Sequence, residues 1–204
     1  MDAENREDSI YFARLSEQGE RYEDMIKYMK KVAKFGQELS NDERNLLSVA
    51  YKNSVKTRRD AWRTIQAIRN KEELKQTKYL PLITHYKEKI EKELRDICND
   101  VLDLLESDLL KNSENPEAKV FFLKMKGDYY RYLGEFMEND EKKKVIDKAQ
   151  DSYQQAQNEA EKLKTTHPIR LGLALNYSVF YYEILNQPDV ACKLAKNAFD
   201  AAIQ

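Results

Sequence analysis

The residues best placed to do chemistry lie in Lys119-Val-Phe-Phe-Leu-Lys-Met-Lys-Gly-Asp-Tyr-Tyr-Arg-Tyr-Leu133, where three lysines and an arginine are set among aromatics. On a helix, Lys124 and Arg131 are seven residues apart and share a face, and Asp128 lies between them on that face. Asp128 can there orient either head group, and Tyr132 next to Arg131 offers a hydroxyl. Cations on an apolar helix are costly to bury unless something pairs them. The partner is either supplied by the protein itself or is an anionic ligand.

A second set of cations points toward a ligand. Lys52, Lys56, Arg59 and Arg63 fall at i, i+4, i+7 and i+11. At about 100° per residue they form a stripe roughly 60° wide and about three turns long. Glu43 and Asp60 lie off it, so acidic partners at neutralising spacings are lacking. The plainer alternative is a solvated basic face. A third segment offers Leu175, Val179 and Tyr182 as an apolar strip, with Asn176 and Glu183 along its edge. Three such helices would make a groove with one cationic and one apolar wall, suited to an extended peptide bearing a dianionic group. A phosphoserine carries about −1.5 to −2 charges and three acceptor oxygens. Arginine forks hold such a group bidentately, and Asn176 would bond the peptide backbone.

Catalytic chemistry has little to work with. The only histidines, His85 and His167, have no cysteine, histidine or carboxylate cluster at metal-ligand spacing. No glycine-rich phosphate loop, nucleophile elbow or kinase-like motif occurs. The expectation is a binding protein, not an enzyme, with no cofactor and no metal.

Glycine (5) and proline (4) are scarce in the 204 residues, which starves the chain of β-turns and predicts a nearly all-α protein. The 35 basic and 36 acidic residues nearly cancel, which argues against a general nucleic-acid binder. Cys98 and Cys192 both sit in apolar helical surroundings and are expected to be reduced core residues. The start, Met-Asp-Ala-Glu-Asn, lacks the pattern of a signal peptide, and no apolar run approaches the roughly 20 residues of a membrane span. A cytoplasmic protein with no membrane partner is expected.

Helix boundaries follow from end signals. Ser40-Asn-Asp-Glu43 is a capping box, and Asn115-Pro116, His167-Pro168 and Gln187-Pro188 are helix starts. They predict eight helices over 4–18, 21–37, 41–70, 79–112, 116–136, 140–163, 167–185 and 188–203. The one substantial loop is expected over 70–78. Ala149, Tyr153 and Ala156 are matched in spacing by Ala195, Phe199 and Ala202. Small residues flanking an aromatic suit stacked antiparallel hairpins, so a layered right-handed stack is expected. Gly127 and Gly172 each cost roughly 1 kcal/mol relative to alanine inside a helix, and close helix contact is the expected reason for both.

Several long runs resemble the 14-3-3 family of phosphoserine/phosphothreonine-binding adaptors. They are Leu39-Ser-Asn-Asp-Glu-Arg-Asn-Leu-Leu-Ser-Val-Ala-Tyr-Lys-Asn53, Leu94-Arg-Asp-Ile-Cys-Asn-Asp-Val-Leu102, Leu123 through Leu133, and His167-Pro-Ile-Arg-Leu-Gly-Leu-Ala-Leu-Asn176 with Ser178 through Asn186. The resemblance covers essentially the whole chain. It implies an antiparallel array of eight helices, the family's nine less the last. This would be a single domain over 1–204 with a dimerisation part about 1–40 and a groove-forming part about 41–204.

The resemblance also implies roles. Arg59, Arg131 and Tyr132 would grip the phosphate with Lys52 closing the pocket. Lys124, Asn176 and Glu183 would meet the peptide, and Leu175 and Val179 would line the apolar wall. Leu15, Arg21 and Asp24 would face Tyr86, Lys89 and Glu93 of a second subunit, pairing Arg21 with Glu93 and Asp24 with Lys89. The implied partners are phosphorylated client proteins in signal transduction and a second copy or paralogue, in the cytoplasm and also the nucleus. Three departures stand out. The sequence ends at Gln204, where the family continues with a helix completing the groove's apolar wall. Lys56 replaces a glycine usual on the groove stripe and adds a cation and bulk. Asp60-Ala61 stands where several members have Ser-Ser, a regulatory phosphorylation site. A helical-repeat scaffold binding unphosphorylated peptides is the alternative.

Overall fold

The computed structural model describes residues 5–204; the expected helix start at residue 4 and the rest of the N-terminal segment 1–4 lie outside them. The described chain is all-α and contains no strand. It forms α1 (Arg6–Gln18), α2 (Tyr22–Lys34), α3 (Asn41–Leu74), α4 (Leu80–Leu104), α5 (Pro116–Phe136), α6 (Asn139–Ala160), α7 (Pro168–Glu183) and α8 (Pro188–Ile203). The described residues pack as two compact units, the first 5–35 with 42–101 and the second 36–41 with 102–204.

In the first unit, α1 packs on α2, with Phe12 stacked on Tyr28 at 5.0 Å between centroids. Met25, Met29, Leu47, Ala50, Tyr51, Leu94 and Cys98 are wholly or almost wholly buried. That many apolar side chains removed from water, at roughly 1.5–3 kcal/mol for each large one, hold the helices together. Several polar groups inside are paired, while the buried Ser54 Oγ has no hydrogen-bond partner among the described residues. Arg6 forks onto Glu43 through two bonds of 2.7 Å. The Tyr51 hydroxyl donates to Asp100 Oδ2 at 2.6 Å, and Lys30 pairs with the other oxygen. Burial and the neighbouring Asp100 carboxylate together push the Tyr51 hydroxyl far above its ordinary range.

Two boundaries in this unit depart from the sequence reading. α2 ends before Gly36, whose φ of +73° is a left-handed stop. The expected loop over 70–78 is shorter, because α3 runs on to Leu74. Side-chain pairs one turn apart support the extension: Gln66 donates to Asn70 at 2.8 Å and Arg69 lies 3.5 Å from Glu73. The helix stops where Gln76 turns to a φ of +51°.

In the second unit, α5 packs on α6 and α7, and α7 on α8. The continuous helix expected over 79–112 instead loosens into a π turn over Leu105–Leu109, closed by the Leu110 N–H on the Leu105 carbonyl at 2.9 Å. The projecting Glu106 meets Lys126 at 3.0 Å and the Tyr130 hydroxyl at 3.3 Å. Burial and that carboxylate push Tyr130 up to about 12.

The expected starts of α5 and α7 are capped by side chains. Asn115 accepts from the Glu117 N–H at 2.9 Å and His167 Nδ1 from the Ile169 N–H at 3.2 Å, while Gln187 makes no such cap. The α6 and α8 repeats end differently. Ala149, Tyr153 and Ala156 are fully buried because α6 has neighbours in α5 and α7, whereas Phe199 is 63% exposed. Cys98 is buried as expected, but Cys192 is exposed on α8 and belongs to no core. No described helix is long and apolar enough to cross a membrane.

Candidate functional site

The cations of α5 belong to a buried polar cluster in the second unit. Helix α5 is enclosed on most sides, with Gly127, Asp128, Tyr129, Tyr130 and Arg131 all buried. Asp128 sits at the centre. Lys124 Nζ donates to its Oδ2 at 2.9 Å, and Arg131 Nη2 lies 3.6 Å from its Oδ1. The Tyr153 hydroxyl of α6 donates to the same Oδ1 at 2.5 Å. Asn176 Nδ2 of α7 reaches both oxygens, at 2.9 and 3.0 Å.

Burial alone would push the Asp128 carboxyl up. The charges of Lys124 and Arg131 and the Tyr153 hydroxyl outweigh burial and hold it below its ordinary value of 3.8. Arg131 remains a cation for the same reason: burial opposes its charge, but Tyr153 and Asp128 raise it.

Arg131 has further contacts. Its Nε donates to the Tyr153 hydroxyl at 3.2 Å, and its Nη1 lies 3.8 Å from Glu183 at the end of α7. Its guanidinium also rests over the Tyr132 ring, 4.8 Å from the centroid. Asp128, the carboxylate read from α5, is therefore joined at Arg131 by Glu183 and by the phenol of Tyr153. Sequence reasoning took Tyr153 only as a gap-filler. The available signal was Gly127: a Cβ there would lie 2.8 Å from the Tyr153 ring, so the glycine is required by that aromatic.

Gly172 differs, because its Cβ would meet only Lys124 Cε at an ordinary 3.8 Å. Close helix contact is not the reason for that glycine. Gly127→Ala is expected to destabilise by about 1–3 kcal/mol through overpacking. Gly172→Ala should be neutral or stabilising by up to about 1 kcal/mol. Chemical unfolding of the two variants checks this, and equal behaviour would contradict it.

The other residues expected to line a groove are placed as follows, unit by unit. On α7, Leu175 is 60% and Tyr182 63% exposed, with Val179 half-buried, so the apolar strip faces outward. On α3 in the first unit, Lys52, Lys56 and Arg63 are exposed and Arg59 is half-buried. The stripe is not free of acids as its spacing suggested, since Lys56 Nζ lies 3.3 Å from Asp60 one turn on. Both groups are well exposed, so this pair adds little stability.

Residues expected at a subunit seam lie in the first unit. Leu15 and Tyr86 are 47% and 53% exposed, beside the similarly open Tyr11 and Leu82. Arg21 pairs within the chain with Asp24 at 2.5 Å, and Arg58 bridges Glu93 at 3.4 Å and Glu23 at 2.8 Å. Ala61, Tyr86, Lys89 and Glu93 line a shallow cavity of about 230 Å³.

The described residues thus form an all-helical protein with a buried Asp–Tyr–Arg cluster and an outward apolar strip on α7. The family model described as 14-3-3 protein matches residues 12–204. The chain is 56% identical over 201 residues to 14-3-3 protein 2 of Entamoeba histolytica, covering 98% of this chain and 84% of that protein. It is 58% identical over 195 residues to human 14-3-3 protein theta, covering 95% of this chain and 79% of that one. To the 14-3-3-like protein 2 of Caenorhabditis elegans it is 56% identical over 202 residues, covering 98% and 81%. The chain belongs to the 14-3-3 family. Membership supports, in general terms, a phosphopeptide-binding adaptor.

Proposed function

We propose that this protein binds phosphoserine- or phosphothreonine-containing segments of client proteins and acts by holding them, without catalysis, as an adaptor in signal transduction. In this reading Arg59, Arg131 and Tyr132 grip the phosphate and Lys52 closes on it. Lys124, Lys56, Asn176 and Glu183 meet the peptide, and Leu175 and Val179 take its apolar side chains. The observation that carries the reading is the state of Arg131. It is a buried, charged fork whose terminal nitrogens lie 3.6 and 3.8 Å from their carboxylates, outside hydrogen-bond reach and so available to oxyanions. Fluorescence polarisation with matched phosphorylated and unphosphorylated peptides tests it. The phosphorylated form should bind much more tightly, and Arg59→Ala should remove most of the difference. Indifference to the phosphate would refute the reading and favour a scaffold for unmodified peptides.

The adaptor is further proposed to work as a homodimer, or with a paralogue, in the cytoplasm and nucleus. The dimerising part is about 1–40 and the groove-forming part about 41–204 of one domain. Supporting the dimer is the exposure of Tyr11, Leu15, Leu82 and Tyr86. Exposed ion pairs contribute under about 1 kcal/mol each, so these apolar groups would carry the seam. Arg21 and Asp24 would then exchange each other for Glu93 and Lys89 of the second copy. Two linked grooves raise avidity for doubly phosphorylated clients. Sedimentation at micromolar concentration should give a dimer that Leu15→Asp with Tyr86→Ala converts to monomer; a monomeric wild type would contradict it.

A further inference from the structure

We infer that Tyr153 is the positioning residue of the phosphate clamp: its hydroxyl links the Asp128 carboxylate to Arg131 Nε and so turns the terminal nitrogens of the guanidinium toward the ligand. The inference deepens the phosphate-binding reading and rests on it.

The ring of Tyr153 has no freedom of its own. It is fully buried, stacked on Tyr177 at 5.2 Å and 23°, and flanked by Phe180 at 5.5 Å. On its remaining side it lies against the bare backbone of Gly127, where a Cβ would be 2.8 Å away. The hydroxyl is thus placed by core packing and not by a surface rotamer. A phenol has one donor and can accept as well. Here the donor goes to Asp128 Oδ1 at 2.5 Å and the acceptor takes Arg131 Nε at 3.2 Å.

Anchoring a guanidinium through Nε leaves its two-pronged outer edge for a ligand. The nearest carboxylate oxygens to that edge are Asp128 Oδ1 and Glu183 Oε2, at 3.6 and 3.8 Å. A fork held in advance loses less freedom when it captures a phosphate. Asp128 alone cannot do this, because it also serves Lys124 and Asn176 and touches Arg131 only at ion-pair distance. Among the described residues, Tyr153 makes the one hydrogen bond to Arg131 that orients it.

Tyr153→Phe keeps the ring and deletes the link. Its affinity for a phosphorylated peptide is expected to fall about tenfold, with weak binding of the unphosphorylated peptide unchanged. The loss should vanish when Tyr153→Phe is placed on Arg131→Ala, since there is no fork left to aim. In the free protein, the Arg131 Nε–H NMR signal should be dispersed and slow to exchange, and in Tyr153→Phe it should shift and exchange faster. An affinity within twofold of wild type, an equal loss on the Arg131→Ala background, or an unmoved Nε–H signal would each overturn the inference. If Tyr153→Phe does not fold, the wild-type Nε–H signal decides, and fast exchange there overturns it. A wild type blind to the phosphate would refute the phosphate reading, whereas the Nε–H signal tests the positioning separately.

Discussion

Asp128→Ala is expected to destabilise the protein by about 3–5 kcal/mol, the loss typical of breaking one side of a buried ion pair. The carboxylate is 6% exposed and is the common acceptor for Lys124, Tyr153 and Asn176, with Arg131 beside it. Without it the Arg131 charge stays buried among groups that can only partly compensate. The Tyr153 hydroxyl and the Asn176 amide also lose their acceptor. Urea unfolding measures the difference, and a loss below about 1 kcal/mol would contradict the central place given to Asp128.

The same carboxylate sets a pH dependence. Its folded-state value lies below its unfolded one, so its stabilisation is complete above about pH 4 and is lost as the pH falls through the folded value. Wild type should therefore lose stability on acidification through that range, and Asp128→Asn should lose less.

The second large effect concerns Arg131. Arg131→Lys is expected to weaken phosphopeptide binding at least about tenfold, and Arg131→Ala about a hundredfold, because charge-assisted hydrogen bonds contribute about 1.5–3 kcal/mol each. Lysine keeps the charge but not the fork, and a point charge cannot reach the Tyr153 hydroxyl and two phosphate oxygens together. The unphosphorylated peptide serves as reference and should be insensitive to both changes. Lysine and arginine performing equally would mean that charge alone, not geometry, reads the phosphate.

Most of the fold was legible in the sequence because its helices carry their own punctuation. Asn115-Pro116 and His167-Pro168 started helices within a residue of the reading. What the sequence hid depends on which side chains meet once the chain is folded. The run over 70–74 stays helical through the Arg69–Glu73 and Gln66–Asn70 pairs despite its polar composition. The π turn at Leu105 leaves no mark in a pattern whose apolar steps continue through it.

The polar cluster around Asp128 was half visible. Lys124, Asp128 and Arg131 share a face by arithmetic, but Tyr153 lies 22 residues from Arg131 and Asn176 lies 48 from Asp128. Only packing brings them together. Gly127 was the one local trace of Tyr153, and it does not say which aromatic fills the gap. Glu183 was assigned to the peptide, yet without ligand it stands 3.8 Å from Arg131. Phosphate would therefore meet a fork already attended by a weakly placed carboxylate.

The most direct test of phosphate recognition is the 31P resonance of a phosphoserine peptide followed against pH, free and bound. A free phosphoserine loses its second proton near pH 6. If the proposed clamp holds it, the group should stay dianionic to a clearly lower pH, with the shift reduced in Arg131→Ala. A bound peptide whose phosphate titrates as it does free in solution would contradict the proposed clamp.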